Sequence, residues 1–297
     1  MKECSLIGTL PNLSKRSAVH EMMSSNEISS VRYNTGVNNL MTTDEVLTCL
    51  KELESIYKKK IWLDIKGRQL RITKWADPSY QAIELNHNIE VEYPAHIIFR
   101  NGTKSEIVRT RGNSITVYPP PKEAVGSGQS VNILAKSLDI NGYLTEKDKE
   151  FITKGKEYGF NDIMASFVED IDDLVQILKL NNESNIVSKI ESLKGVKFMI
   201  EYPNISLMAA RDDLYIETGK SIETLKILRE IIKRDKEAIC ASRIFTSLEH
   251  SEDVELSDYE DLELMYQMGY KNYMLCDNVS NYCLKRALKS WRNFVNE

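Results

Sequence analysis

The segments ISSVRYN at residues 28–34 and TTDEVLTCLKELESIY at residues 42–57 place a strand-like run just before a helical pattern. Branched apolar residues without strict alternation are typical of a strand that is buried on both faces, as in a parallel sheet. Thr42 and Glu45 then have the spacing of a capping box, and apolar residues follow at the three- and four-residue spacing of an amphipathic helix. Together the two segments predict one strand–helix unit of an α/β fold.

Similar units recur along the whole chain. The other strand-like runs cover residues 5–8, 61–66, 162–167, 186–190, 205–209, 237–242 and 272–276. Helical patterns follow, for example Leu225, Leu228 and Ile231 after the sixth run. Eight units within 297 residues predict a (β/α)8 TIM barrel, a fold that typically needs about 250 residues.

One unit of the predicted barrel is interrupted by a different kind of sequence. Short alternating strands are predicted at residues 89–91, 96–99, 107–109, 115–117 and 131–133. Thr145 and Asp148 have capping-box spacing where the helical pattern resumes. We therefore predict a small all-β lid inserted into the barrel, with barrel segments at 1–71 and 138–297 and the lid at 72–137.

The composition excludes several classes of protein. Hydrophobic residues make up 42% of the chain and charged residues 28%, which is typical of a folded globular protein. The net charge of -5 argues against a partner that is nucleic acid or an anionic membrane. The five cysteines include no C-x-x-C pair, no apolar run reaches the length of a membrane span, and no secretory signal is evident. A cytoplasmic protein is expected.

Charged residues concentrate where the predicted barrel strands end, which is where barrel enzymes place their working residues. Strand five delivers Lys189 and Glu191, which are two apart and therefore point to the same face of the strand. Strand six leads into Asp213, and strand eight delivers Asp277. Two carboxylates beside cations suit a hard divalent metal that holds an oxyanion. A structural ion pair at the barrel rim explains Lys189 and Glu191 equally well at this level.

These strand ends resemble pyruvate kinase over residues 5–280. SKIE at 188–191 resembles the family's strand-five motif, and MAARDDL at 208–214 resembles its M-V-A-R-G-D-L. VRYN at 31–34 resembles R-L-N, and LDIKG at 63–67 with Arg71 resembles L-D-T-K-G-P-E-I-R. The resemblance supports the barrel with its inserted lid, and it implies a metal-dependent active site.

The resemblance also implies a role for each residue. Glu191 and Asp213 would bind Mg²⁺ or Mn²⁺, and Lys189 would face the phosphoryl group in transfer. Asn34 and Asp64 would bind K⁺, and the lid would close over the site and exclude water. Lys189, Arg32 and Ser242 would be the catalytic residues. The residues implied for substrate or phosphate binding are Arg32, Arg71, Ser166, Arg211, Asp212 and Arg243.

Several positions depart from the family pattern. Asp212 replaces a glycine whose amide would meet the substrate carboxylate, while Ile65 and Gly36 replace potassium ligands. CDNVSN at 276–281 stands where the family has S-G-E-T-A-K, and GSGQ at 126–129 lacks the lysines that would hold nucleotide phosphates. The eighth helical pattern lies at the end of the sequence, so we expect the family's carboxyl-terminal regulatory domain to be missing.

These observations predict a divergent pyruvate kinase-like phosphotransferase acting on phosphoenolpyruvate or a related small molecule. Two alternatives remain open at this stage. One is a nucleotide-independent, metal-dependent lyase or aldolase acting on a 2-oxo acid, and the other is a binding protein that has lost its catalysis. Nucleotide binding and homodimer formation also remain open.

Overall fold

A computed structural model describes residues 2–37, 40–76, 82–99, 102–121 and 125–296. Eight parallel strands form a closed barrel: β1 (Ser5–Thr9), β2 (Ile28–Asn34), β3 (Lys60–Ile65), β11 (Asp162–Ala165), β12 (Asn185–Ile190), β13 (Ser206–Ala210), β14 (Ile239–Ala241) and β15 (Asn272–Met274). They close in the order β1-β15-β14-β13-β12-β11-β3-β2. Each strand coincides with one of the eight predicted runs, so the predicted barrel is confirmed.

Helices connect these strands, as the apolar periodicity predicts. They are α1 (Arg16–Ser24), α2 (Thr43–Tyr57), α3 (Glu146–Glu157), α4 (Ile171–Leu180), α5 (Leu193–Glu201), α6 (Arg211–Thr218), α7 (Ser221–Arg234), α8 (Leu256–Met268), α9 (Asp277–Tyr282) and α10 (Leu284–Asn296), with a 3₁₀ turn at Thr246–Glu249. The predicted capping box at Thr42 and Glu45 begins α2. Thr145 and Asp148 form the other predicted capping box, before α3. No helix in the described part of the chain is long and apolar enough to span a membrane.

The barrel interior contains an apolar layer. It is formed by Ile7, Trp62, Met164, Val187, Met208, Ile239, Ala241 and Met274. Neighbouring strand positions such as Leu6, Leu63 and Leu207 belong to a separate cluster shared with the helices. This alternation follows from the two-residue repeat of a strand, which sends successive side chains to opposite faces of the barrel wall.

The strands inserted between β3 and α3 are antiparallel. They are β4 (Ile83–Glu84), β5 (Ile89–Glu90), β6 (Ala95–Phe99), β7 (Lys104–Arg111), β8 (Ser114–Tyr118), β9 (Val131–Leu134) and β10 (Asp139–Ile140). Five of them form a sheet in the order β4-β8-β7-β6-β9, and β5 pairs with β10. An apolar core of its own, which includes Ile97, Ile107 and Ile133, supports the sheet. β4 and β10, with two residues each, were not predicted from the sequence.

The chain divides into two compact units. One comprises Met1–Thr35, Asn39–Ile65 and Glu150–Glu297, and it carries the barrel. The other comprises Gly36–Asn38 and Lys66–Lys149, and it carries the antiparallel strands. The second unit extends beyond the predicted lid limits of 72–137 at both ends, because the segments that flank the strands pack with them.

Candidate active site

A polar layer lies inside the barrel, next to the apolar layer and toward the carboxyl ends of the strands. Thr9, Asp64, Ser166 and Lys189 each follow an apolar-layer residue by two positions. Because side chains alternate along a strand, these four point to the same inner face as the apolar residues. Arg32 on β2 donates to Thr9 Oγ1 at 3.1 Å and joins this layer. The barrel therefore assembles this polar layer from residues far apart in sequence.

Asp64 lies at the centre of the polar layer and is completely buried. Its Oδ2 accepts a hydrogen bond from Arg32 Nε at 2.7 Å, and Arg32 Nη2 pairs with the same oxygen. Its Oδ1 lies 3.3 Å from Ser166 Oγ and 3.4 Å from Lys189 Nζ. A buried carboxylate needs such partners to offset its lost hydration. Asp64 thus holds two cations in fixed positions.

Lys189 has three polar neighbours in the layer. Its Nζ donates to Ser166 Oγ at 2.8 Å and pairs with Glu191 Oε1 at 3.1 Å, in addition to Asp64. Burial lowers the pKa of Lys189, but Asp64 and Glu191 outweigh burial and raise the pKa above its usual value. A protonated lysine cannot act as a base toward Ser166. Ser166 therefore positions the ammonium group, and it is not activated as a nucleophile by Lys189.

Glu191 is a buried carboxyl group beside Lys189. Its Oε2 accepts a hydrogen bond from the Phe167 amide at 2.7 Å. Burial raises the pKa of Glu191 to about 7, against the opposing effect of Lys189, and the negative charge of Asp213 adds to the increase. Phe167 has a left-handed backbone with φ of 49°, which a residue with a Cβ adopts at an energetic cost. The amide that holds Glu191 thus lies on a strained backbone.

Asp213 lies in the first turn of α6, where the helix dipole stabilises a negative charge. Its neighbour Asp212 is exposed and pairs with Arg243 Nε at 2.9 Å, and the Arg243 guanidinium lies 4.8 Å from the centre of the Tyr215 ring. The extra carboxylate introduced at Asp212 is therefore matched by the cation at Arg243. The two residues form a surface pair, and their charges offset each other.

Glu191 and Asp213 have the donor chemistry of a Mg²⁺ or Mn²⁺ site. Mg²⁺ usually binds one or two carboxylates and completes its shell with water and substrate oxygens. Their mutual repulsion raises the proton affinity of Glu191, and a divalent cation would remove that repulsion. Among the described residues, no group of three or more His, Cys, Asp or Glu side chains is arranged to hold a metal. The pair therefore fits a hard cation that shares its shell with a ligand, and it does not fit a closed zinc site.

The predicted potassium residues have other partners. Asp64 faces Arg32 and Lys189, so a third cation at this carboxylate meets two positive charges that are already close. The Asn34 amide donates to Asp277 Oδ1 at 3.2 Å. These side chains do not fit a monovalent cation site well, and we derive no role for K⁺ in this chain.

Arg211 lies outside the polar layer. Its Nη1 donates to both oxygens of Asp261 on α8, at 2.7 and 2.8 Å. Its Nε donates to the Ala241 carbonyl at 3.2 Å, and its Nη2 donates to the Ser242 carbonyl. This arrangement links β14 and the loop after it to α8. We therefore assign Arg211 a structural role and leave it out of the proposed substrate site.

Ser242 and Arg71 were also predicted from the sequence to be site residues. Ser242 and Arg243, directly after β14, have left-handed φ values of 66° and 61°. Strained backbone of this kind is common at functional sites. Arg71 belongs to the second unit, where it donates to Gln69 Oε1 at 2.7 Å from Nη2 and to the Gly128 carbonyl at 2.6 Å from Nη1.

Asp277 is a polar contact of the site that the sequence did not assign. It is the first residue of α9, three positions after the last residue of β15, and its side chain is 37% exposed. Its Oδ2 accepts a hydrogen bond from Arg32 Nη1 at 3.0 Å, and its Oδ1 accepts one from Asn34. The only signal in the sequence was its place at a strand end. Its target could be known only once β15 and β2 were placed on either side of β1.

Comparisons with known proteins identify the family of the chain. A family model described as the pyruvate kinase barrel domain matches residues 108–264, more than half of the 297-residue chain. The chain belongs to the pyruvate kinase family. Its similarity to pyruvate kinase PKLR from Homo sapiens is 31% identity over 169 residues, which cover 52% of this chain and 29% of the human protein.

Other pyruvate kinases match shorter or longer parts of the chain. The one from Sporosarcina psychrophila is 34% identical over 139 residues, which cover 43% of this chain and 23% of that protein. The one from Debaryomyces hansenii is 24% identical over 294 residues, which cover 84% of this chain and 58% of that protein. In each of these alignments this chain spans less than two thirds of the relative's length.

Proposed function

We propose that this chain is a pyruvate kinase-like enzyme that stabilises an enolpyruvate or a pyruvate enolate with a divalent metal. Phosphoryl transfer that involves phosphoenolpyruvate or a related substrate is the reaction we place first, because the chain belongs to the pyruvate kinase family. The observation that carries the proposal is the buried polar layer together with Glu191, because two cations, Arg32 and Lys189, converge there with the carboxyl groups of Asp64 and Glu191.

The metal would be held by Glu191 and Asp213. When bound, Mg²⁺ or Mn²⁺ would supply positive charge that stabilises the developing enolate oxygen of the substrate. The proton on Glu191 must leave before its carboxylate can act as a ligand, since burial raises its pKa to about 7. The hydrogen bond from the Phe167 amide keeps the carboxylate oriented for that role.

Lys189 would act on the substrate directly. Its ammonium group remains charged between Asp64 and Glu191, so it is available to balance the negative charge of a phosphoryl group or an enolate. Ser166 and Asp64 fix its position before the substrate arrives. A cation held in place in a buried layer loses little energy to reorganisation, and its charge is less screened there than in water.

A second candidate function is cleavage or formation of a carbon–carbon bond in a 2-oxo acid through a metal-stabilised enolate, without a nucleotide. One observation favours it. Arg32, which would hold a substrate phosphate in a phosphotransferase, already contacts the carboxylates of Asp64 and Asp277. A substrate without a phosphate does not need to compete with Asp277 for this guanidinium.

The test is to incubate the protein with Mg²⁺ and phosphoenolpyruvate, with and without ADP, and to measure pyruvate and phosphate. ADP-dependent pyruvate formation supports phosphoryl transfer. Metal-dependent turnover of a 2-oxo acid without nucleotide supports the second candidate. If no turnover occurs and neither phosphoenolpyruvate nor oxalate raises the melting temperature with Mg²⁺, the enzymatic proposal is wrong and a binding protein remains.

Substitution of Lys189 separates catalysis from a binding role. We expect Lys189→Met to lower turnover by about a thousandfold or more, because the charge that balances the reacting group is lost. Lys197→Met is the matched control, since Lys197 is an exposed residue on α5, the helix that follows the same strand. Unchanged turnover in a folded Lys189→Met protein would contradict the assignment.

A further inference from the structure

Asp277 accepts a hydrogen bond from Arg32 Nη1, a donor that a substrate anion would otherwise use. Arg32 Nη1 has two N–H groups, and the structure directs one to Thr9 Oγ1 at 3.1 Å and one to Asp277 Oδ2 at 3.0 Å. The second Asp277 oxygen is held by the Asn34 amide at 3.2 Å. A guanidinium and an amide that each contact one oxygen of a carboxylate would bind two oxygens of a phosphate in the same manner.

The charges around Arg32 also depend on Asp277. Asp64 is shared between Arg32 and Lys189, and Glu191 pairs with Lys189. Arg32 therefore already has one buried carboxylate partner, Asp64, before Asp277 is counted. Asp277 therefore adds one negative charge beside Arg32, and a phosphate dianion at the same place would be repelled by it.

We propose that Asp277 determines the charge of the group that the site accepts. It acts as an internal anion on Arg32 and Asn34, and it thereby selects a substrate group with a single negative charge, such as a carboxylate, over a phosphate dianion. This selection favours the second candidate function over phosphoryl transfer. This inference rests on the proposed function only in that Arg32 faces the substrate. Asp277 stands where the resembling motif S-G-E-T-A-K has glycine, so the selection is a property of this chain.

The position of Asp277 allows it to move away from Arg32. Its side chain is 37% exposed, whereas Asp64 on the opposite side of the guanidinium is fully buried. Breaking an ion pair costs less free energy when the carboxylate is partly hydrated than when it is buried. A strongly binding anion can thus displace Asp277 while Asp64 stays, so the selection is a matter of affinity and not of complete exclusion.

The experiment measures binding of inorganic phosphate by calorimetry to the wild type, Asp277→Asn and Asp277→Gly. We expect both variants to bind phosphate at least about tenfold more tightly than the wild type, because a like charge beside the anion has been removed. The control is Asp172→Asn, which removes the same charge from an exposed carboxylate in the first turn of α4, another helix that follows a barrel strand. A gain in phosphate affinity no larger than that of the control overturns the proposal.

A second ligand distinguishes this inference from the proposed function. Binding of oxalate in the presence of Mg²⁺, followed on the same proteins, reports on Glu191 and Asp213 and does not require a phosphate site. Tighter phosphate binding by both Asp277 variants supports the role of Asp277 even if oxalate does not bind, an outcome that would refute the metal site alone. Metal-dependent oxalate binding without a gain for phosphate supports the metal site and rejects the role of Asp277. Asparagine keeps the size of the side chain and glycine removes it, and melting curves establish that each variant is folded.

Discussion

Arg32 and Arg211 are two buried arginines near strand ends of the same barrel, and they differ in the groups that surround them. Arg32 points into the barrel and contacts Asp64, which is shared with a lysine, and Asp277, which is partly exposed. Arg211 points outward and uses its donors on Asp261 and on two backbone carbonyls. An arginine whose donors are divided between fixed backbone acceptors and a single carboxylate ties elements together. An arginine inside a network of shared charges remains able to meet a ligand.

The largest effect on stability is expected for the buried ion pairs of Asp64 with Arg32 and Lys189, which we call the inner network. Asp64→Ala leaves Arg32 and Lys189 buried without their shared carboxylate, so we expect it to lower the free energy of unfolding by about 3–5 kcal/mol. Urea denaturation measures the change. The control is Asp162→Ala, since Asp162 forms a pair with Lys60 that is accessible to solvent, and we expect a loss of about 1 kcal/mol or less. Equal losses in the two variants would show that the inner network is not special.

Arg211, which pairs with Asp261, should affect stability and leave ligand binding unchanged. We expect Arg211→Met to lower the free energy of unfolding by about 2–3 kcal/mol, because the Ala241 and Ser242 carbonyls lose their donor. Asp261 limits the loss, since its side chain is 28% exposed and can be hydrated. Oxalate binding with Mg²⁺, measured below the melting temperature, should stay within about twofold of the wild type. A selective loss of oxalate binding would place Arg211 in the substrate site after all.

A third measurement uses the pH dependence of stability without metal. Burial raises the pKa of Glu191 from 4.5 to about 7, so the folded state holds this proton more tightly than the unfolded state does. The contribution of Glu191 to stability is therefore complete below pH 4.5 and is lost as the pH rises through about 7. Glu191→Gln cannot ionise. In EDTA we expect the variant to gain stability relative to the wild type between pH 5 and pH 8, by up to about 3 kcal/mol.

The pH experiment separates the ionisation of Glu191 from the loss of its hydrogen bond. Glutamine retains an acceptor for the Phe167 amide, so the change of slope reports on the ionisation and not on the lost hydrogen bond. If the difference in unfolding free energy between the two proteins is the same at both pH values, Glu191 has an ordinary pKa. In that case its environment does not have the repulsion that a divalent cation would relieve.

The smallest effect is expected at the exposed pair of Asp212 and Arg243. Both side chains are about half exposed, so solvent screens their attraction. We expect Arg243→Ala to change the free energy of unfolding by less than about 1 kcal/mol, including the loss of its contact with the Tyr215 ring. Thermal denaturation at low and high salt checks this. A loss as large as that of Arg211→Met would mean that the pair supports the strained loop at Ser242.

The sequence predicted the barrel well because each barrel strand is a local signal. Runs such as residues 162–167 and 186–190 are rich in apolar residues without strict alternation, which is typical of a strand covered on both sides. The short strands β4 and β10 were missed, although β5, which is equally short, lies within the predicted strand at residues 89–91. Helix α6 has little apolar character of its own, and it follows β13 directly, so the sequence placed Asp213 after strand six but did not bound the helix.

The sequence predicted which residues belong to the candidate site, but it did not predict which of them pair. Lys189 and Glu191 share a face because they are two residues apart, and this relation is local. Asp64, Ser166 and Lys189 meet only because β3, β11 and β12 are neighbours in the closed barrel. The same holds for Asp277 and Arg32, which are separated by 245 residues.

The sequence by itself determined which side chains lie at the carboxyl ends of the strands, because alternation and strand length are set by local covalent geometry. Only the tertiary structure decided which charges meet. Closure of the barrel brought Arg32 against Asp64 and Asp277 and turned Arg211 toward Asp261. Electrostatic energy depends on distance and burial, and for residues far apart in the chain both quantities exist only once the chain has folded.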